Sequence, residues 1–223
     1  MNRSINSLLL FFLFPAMFFA IVVGFDIYLE FIKENGATIP WRSYVFIVFA
    51  GIFLLLSARR SAQRWVGVNM TRRPDKFIWS TTMDSERKKN VVLFLIIEAI
   101  IALLIALAFY LVTPESWTIS VVFLSIFVEQ LVFVFVAPKW FRVGITHKAV
   151  VVADRETRVL WFSGLRRIES HQQTIYFEYI EDLQLFFPAN CITDGNYTEF
   201  RNALKERVNE DKVYFSEKFR DLK

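Results

Sequence analysis

Two carboxylates, Glu98 and Glu129, interrupt apolar runs long enough to be membrane spans, and they are the residues of this sequence best placed to do chemistry. An ionised, unpaired carboxylate in hydrocarbon costs about 2.5 to 3.5 kcal/mol, so it is expected to hold a proton, share one, or find a partner. Glu98 lies seven residues into the run Val91–Val112, and Glu129 lies eight residues before the end of Trp117–Ala137. If these runs form an antiparallel hairpin across Thr113, Pro114, Glu115 and Ser116, both carboxylates sit about 10 to 12 Å deep and can be neighbours. Ser125, one turn before Glu129, is placed to hydrogen-bond it, and Ala102 and Ala106 give the face of Glu98 the small side chains that let helices pack closely. Two readings follow: a proton- or cation-binding pair in a transport path, or a hydrogen-bonded pair that fixes helix packing or oligomer register.

A second constellation comprises Asp26 and Glu30, four apart on one expected helical face, and Arg42, which opens the next apolar run across a short loop. Their spacing predicts an ion pair at the outer face. Other chemistry is missing from the sequence. His147 and His171 have no carboxylate or cysteine at metal-ligand spacing, and Cys191, the single cysteine, allows neither a disulfide nor a cysteine-based metal cluster. There is no glycine-rich phosphate loop, no Gly-x-Ser-x-Gly and no His-Glu-x-x-His. No metal and no cofactor are therefore expected, and the chain reads as non-enzymatic.

The elements that must position these residues follow from the distribution of apolar surface. Of 223 residues 55% are apolar, 25 are Phe and only 7 are Gly, more apolar surface than one soluble domain of this size requires. The excess falls in four blocks, residues 5–32, 41–57, 91–112 and 117–137, so a membrane α-helical architecture with four spans is expected. The first two form an N-terminal hairpin over 1–57. In the first, the uncharged stretch from Ile5 to Phe25 is long enough to cross the ~30 Å hydrocarbon core, the rival reading being a cleaved signal peptide. The second reaches only ~25 Å as a helix.

Residues 58–90 form a basic connector with nine Lys or Arg against three Asp or Glu. The basic residues are Arg59, Arg60, Arg64, Arg72, Arg73, Lys76, Arg87, Lys88 and Lys89, a cluster expected to stay cytoplasmic and to meet lipid headgroups. Both termini are then cytoplasmic, with Trp41 and Trp117 at the outer interface and Trp140 at the inner one. The net charge of +4 is thus local: residues 138–223 hold fourteen basic against thirteen acidic residues, which is no footprint for nucleic acid.

From Pro138 onward the hydrophobic period becomes alternating, and residues 138–223 read as a cytosolic, antiparallel β-rich domain. Strands are expected within 143–152 and over 158–162, 167–170, 175–180 and 183–187, with turns at Ser163-Gly164, Gln172-Gln173 and Glu181-Asp182. A helix over 197–210 closes the domain, with Asn196 and Glu199 in capping-box spacing and Tyr197, Phe200, Leu204 and Val208 as its apolar face. One further strand, 76–82, is expected in the basic connector.

The run Phe77-Ile78-Trp79-Ser80-Thr81-Thr82-Met83-Asp84, a transmembrane hairpin, strands, and then Leu185-Phe186-Phe187-Pro188 leading to a terminal helix resembles the YcxB-like family of bacterial membrane proteins. The resemblance covers roughly residues 74–210, with the first two spans as an addition. It implies a bacterial inner-membrane protein in which the strand before the hairpin joins a pleckstrin-homology-like (PH-like) sheet formed after it. Family members commonly carry a basic residue after the proline, whereas here Pro188 is followed by Ala189-Asn190-Cys191, and no ligand is carried over. Two functions are expected from different classes. One is a membrane-anchored interaction or regulatory module, such as an immunity protein or a defence-system component, that binds a protein partner. The alternative is an oligomeric ion or proton channel or carrier that uses Glu98 and Glu129, since four spans line a pore only if several chains assemble.

Overall fold

The computed structural model describes residues 2–180, 183–193, 195–209 and 212–220. Among them are four helices long and apolar enough to cross a membrane: α1 (Asn2–Gly24), α2 (Arg42–Thr71), α3 (Ser85–Val112) and α4 (Trp117–Val136). The chain divides into two compact units, Met1–Ala62 with Phe94–Phe135, and Gln63–Leu93 with Val136–Lys223.

The first unit is helical. α1 stops at Gly24, where a Cβ would collide with the carbonyl of Val112, so the close approach to α3 requires glycine. The first block therefore does not continue as helix to Ile32. Asp26 adopts a φ of 51°, which no α-helix continues through, and Tyr28–Leu29 (β1) pairs antiparallel with Glu34–Asn35 (β2) in a small hairpin. The second block departs in the other direction. α2 runs 30 residues to Thr71 rather than ending at Ser57, about 45 Å of helix. Ala58, Arg59, Arg60, Ala62, Gln63 and Arg64 are helix formers, and no proline occurs between Ser57 and Pro74, so nothing in residues 58–71 breaks the ladder. Much of the expected connector is thus helix.

Small residues on α1 (Ala16, Ala20), α2 (Ala50) and α3 (Ala102, Ala106) make room in the core for Phe46, Phe53, Phe109 and Phe123. Leu10, Phe11, Phe14, Phe18, Leu111 and Phe135 point outward and are 56 to 81% exposed, a surface suited to hydrocarbon rather than water.

The second unit contains two four-stranded sheets, with β3 (Trp79–Thr82), β4 (Arg142–Ile145), β5 (Ala149–Ala153) and β6 (Thr157–Trp161) in one. β7 (Leu165–His171), β8 (Thr174–Tyr179), β9 (Gln184–Pro188) and β10 (Tyr214–Phe215) form the other, ordered β10-β7-β8-β9. β3 pairs antiparallel with β4 from Trp79 opposite Ile145 to Thr82 opposite Arg142. It begins three residues later than expected because Pro74–Lys76 forms a 3-10 turn. The β-prone stretch 143–152 lies in two strands, folded back at residues 146–148, where Thr146 both donates its amide to Ala149 O (2.9 Å) and accepts the Ala149 amide on Oγ1 (3.1 Å). The remaining expected strands shift by one or two residues, and the Glu181-Asp182 turn lies outside the described residues. β10 and a terminal turn of helix, α6 (Glu217–Arg220), were not anticipated, and β10 is parallel to β7 in an otherwise antiparallel arrangement.

The closing helix α5 spans Tyr197–Lys205, shorter than 197–210, with Glu210 outside the described residues. Tyr197, Phe200 and Leu204 are buried on it, and Val208 is buried beyond its end. Phe200 joins an aromatic chain, its ring centroid 5.4 Å from Trp79, 6.2 Å from Phe187 and 6.4 Å from Phe219. The capping-box side chains are used elsewhere: Asn196 Nδ2 donates to Thr81 Oγ1 (2.8 Å), and Glu199 accepts from Trp79 Nε1 (3.2 Å). Both tie the helix to β3.

Candidate functional site

The two carboxylates of the apolar runs are held by consecutive residues of α2. Arg60 donates through Nη2 to Glu98 on α3, and Ser61 Oγ donates to Glu129 Oε1 on α4 at 2.7 Å. The side chains of Arg60 and Glu98 are only 11% and 19% exposed. Ser125 does not reach Glu129. Its hydroxyl donates to Val121 O (2.8 Å), the carbonyl one turn back, and the residue is exposed.

Glu98 and Glu129 thus mark a junction of three helices. A guanidinium beside Glu98 offsets part of the cost of burying that carboxylate.

The expected outer ion pair has a different acid. Arg42 binds Glu115 with both Nε and Nη2, the latter 2.8 Å from Oε1, and donates Nη1 to Ile39 O at 3.0 Å. Such a two-pronged bond fits the planar guanidinium. Asp26 and Glu30 take no part because α1 has already ended. Asp26 Oδ1 accepts the Ala37 amide (2.9 Å), and Glu30 lies in the turn between β1 and β2.

Between these two polar layers, α2 contributes Phe46, Ala50 and Phe53, α3 Ala102, Ala106 and Phe109, and α4 Ile119, Val122 and Phe123. On each helix these residues fall between the outer and the inner polar position, and all are at most 9% exposed.

The nine basic residues of 58–90 divide into engaged and open ones. Arg60 is ion-paired, and Arg64 is 5% exposed. Arg87 Nη2 lies 3.3 Å from Asp154 Oδ2, a carboxylate 5% exposed whose Oδ1 also accepts the Glu156 amide. Arg72 stacks over Trp140. Arg59, Arg73, Lys76 and Lys89 are exposed, and Lys88 is half-buried.

Elsewhere in the second unit, a groove of about 720 Å³ is lined by residues including Arg166, Arg167, Glu178, Gln184 and Tyr214. Arg167 in it pairs with Glu169 and sits 5.3 Å over the Tyr214 ring, and Gln184 Nε2 donates to Glu178 Oε1 (3.2 Å), so much of its polarity is internally satisfied. Cys191 is fully buried, and burial, reinforced by the charge of Asp154, pushes its thiol up to about 12. A neutral thiol is a poor nucleophile. His147 lies in the β4–β5 turn and His171 at the end of β7, both exposed, and among the described residues no group of three or more His, Cys, Asp or Glu is arranged to hold a metal ion.

No protein-family model, curated protein or solved structure matches the chain. The residues missed from sequence are Ser61 and Glu115. Continuing the helical period past Ser57 would have carried Arg60 and Ser61 onto the faces opposite the two carboxylates.

Proposed function

We propose that the chain is a non-enzymatic bacterial inner-membrane protein whose four helices anchor a cytosolic, PH-like β domain that binds a protein partner, as an immunity or defence-system component would. The observation that carries the choice over a channel or carrier is the layer of buried Ala, Phe, Ile and Val between the Arg42–Glu115 and Arg60–Glu98 pairs. A proton or cation pathway needs polar groups or water along its length, and among the described residues this stretch of the bundle offers no buried titratable side chain and, apart from Thr118 and Ser120 near its outer end, no buried polar group. Glu98 and Glu129 in this reading are helix-pinning groups, compensated by Arg60 and Ser61. The basic residues of 58–90 and both termini lie on the cytoplasmic side.

Proteoliposomes containing the purified chain test this directly. The expected proton and potassium fluxes equal those of empty vesicles, both for the native chain and for the Glu98→Gln, Glu129→Gln double variant. A flux that the double variant abolishes would select the oligomeric carrier. The partner arm uses a photo-crosslinking residue at exposed Trp161 or Tyr214 in cells, where a discrete adduct is expected from one face of the β domain; adducts from neither position would remove the interaction role.

A further inference from the structure

We propose that Arg72, Lys139 and Trp140 form a binding site for a phosphate group, occupied in the membrane by the headgroup of an anionic phospholipid. The Arg72 guanidinium carbon lies 5.4 Å and Lys139 Nζ 5.7 Å from the centroid of the Trp140 ring. Each contact is favourable singly, but two cations on one indole repel each other. Neither has a carboxylate partner among the described residues. The indole Nε1 is a buried donor that meets no acceptor. Buried N–H groups are almost always satisfied, and an unsatisfied one points to a group that belongs there.

One tetrahedral anion meets all three deficits. One oxygen accepts from Trp140 Nε1, and the others take charge-assisted hydrogen bonds from Arg72 and Lys139 and neutralise their repulsion. The location specifies the source. Arg72 directly follows the last residue of α2, and Lys139 and Trp140 lie in the 3-10 turn Ala137–Trp140 that follows α4. Lys139 and Trp140 lie where the apolar run of α4 gives way to polar chain, the level of the lipid phosphates, where an indole is favoured, and contact with Trp140 brings Arg72 to that level. The inference goes beyond the interaction role and rests on the reading that α2 and α4 cross the membrane. It also separates Arg72 from the exposed Arg59, Arg73, Lys76 and Lys89, which would contribute only diffuse attraction.

The test is lipid retention by the full chain, purified in a zwitterionic detergent, delipidated, and exposed to equal amounts of phosphatidylglycerol and phosphatidylcholine before native mass spectrometry. The native chain should retain phosphatidylglycerol over phosphatidylcholine by roughly tenfold or more. Arg72→Ala with Lys139→Ala should bring the ratio near one. Trp140→Phe, the milder change, keeps a ring for the cations and removes only the N–H, and it should lower the ratio severalfold. The Lys88→Ala, Lys89→Ala control should keep the native ratio. A native ratio near one, an unchanged ratio in Trp140→Phe, or an equal loss in the control overturns the site. Displacement of the lipid by millimolar inorganic phosphate would reassign it to a soluble phosphate. Extraction of the chain from vesicles by carbonate would instead refute the membrane reading, independently of any retention ratio.

Discussion

Arg60 and Ser61 stand next to each other on α2, and each holds a carboxylate from a different helix. Their removal should have unequal effects. Arg60→Ala leaves Glu98, 19% exposed, without its cation, and the loss should approach the low end of the roughly 3 to 5 kcal/mol typical of breaking one side of a buried pair. Replacing both partners with apolar residues, Arg60→Met with Glu98→Leu, should recover most of it, because no charge is then stranded. Thermal unfolding in detergent measures both, and an Arg60→Ala variant as stable as the native chain would show that the pair is not holding the bundle. Cys191 makes a separate prediction. Its thiol titrates at about 12 when folded against 9.0 as the ordinary value, so the unfolded chain releases this proton first as the pH rises. The associated stability is fully present below pH 9.0 and is lost progressively toward pH 12. Urea melts at pH 8 and pH 11 should show a smaller alkaline loss in Cys191→Ala than in the native chain; equal losses would mean that the thiol is not shielded.

The helices show why some features were legible in the sequence and others were not. Apolar runs announce themselves, and all four appear as helices, but hydropathy marks where lipid contact ends, not where the hydrogen-bond ladder ends. α2 therefore continued 14 residues beyond the expected Ser57 boundary, and Arg60, counted as a topology charge, proved to be the partner of Glu98. Glu98 and Glu129 stood out because a carboxylate in an apolar run is conspicuous. Arg42 found Glu115 instead of Asp26 or Glu30 because the pairing depends on where α1 stops, which Gly24 and the left-handed Asp26 decide. Alternation gave most strands but not their division into two sheets, since it reports which face is buried and not which strand is adjacent. β10, with two residues, is too short to carry a period. Two glycines of α2 make the packing testable. A Cβ at Gly67 would collide with the Thr157 side chain on β6, whereas nothing lies within 4 Å of one at Gly51. Gly67→Ala should destabilise by about 1 to 3 kcal/mol through overpacking. Gly51→Ala should be neutral or stabilise by up to about 1 kcal/mol through helix propensity. Melting the two variants side by side checks this, and similar shifts would mean that α2 does not pack on β6.

The orientation of the molecule depends on charge more than on any single contact. Nine basic against three acidic residues lie in 58–90, whereas the turn between α3 and α4 carries only Glu115, already neutralised by Arg42. Lys and Arg flanking spans are usually retained on the cytoplasmic side, so the proposed orientation has the α3–α4 turn outside and the α2–β3 segment inside. A background of Cys191→Ala leaves the chain without cysteine, and single cysteines can then report sides. Pro114, exposed at the α3–α4 turn, and Met70, 45% exposed near the end of α2, are suitable positions. With a membrane-impermeant maleimide on intact cells, Pro114→Cys should label at once and Met70→Cys only after permeabilisation. The reverse pattern would place the basic residues outside and with them the β domain, which would remove the cytosolic partner and the inner-leaflet phosphate site together. Labelling of both positions in intact cells would mean that α3, which separates them in the chain, does not span the bilayer.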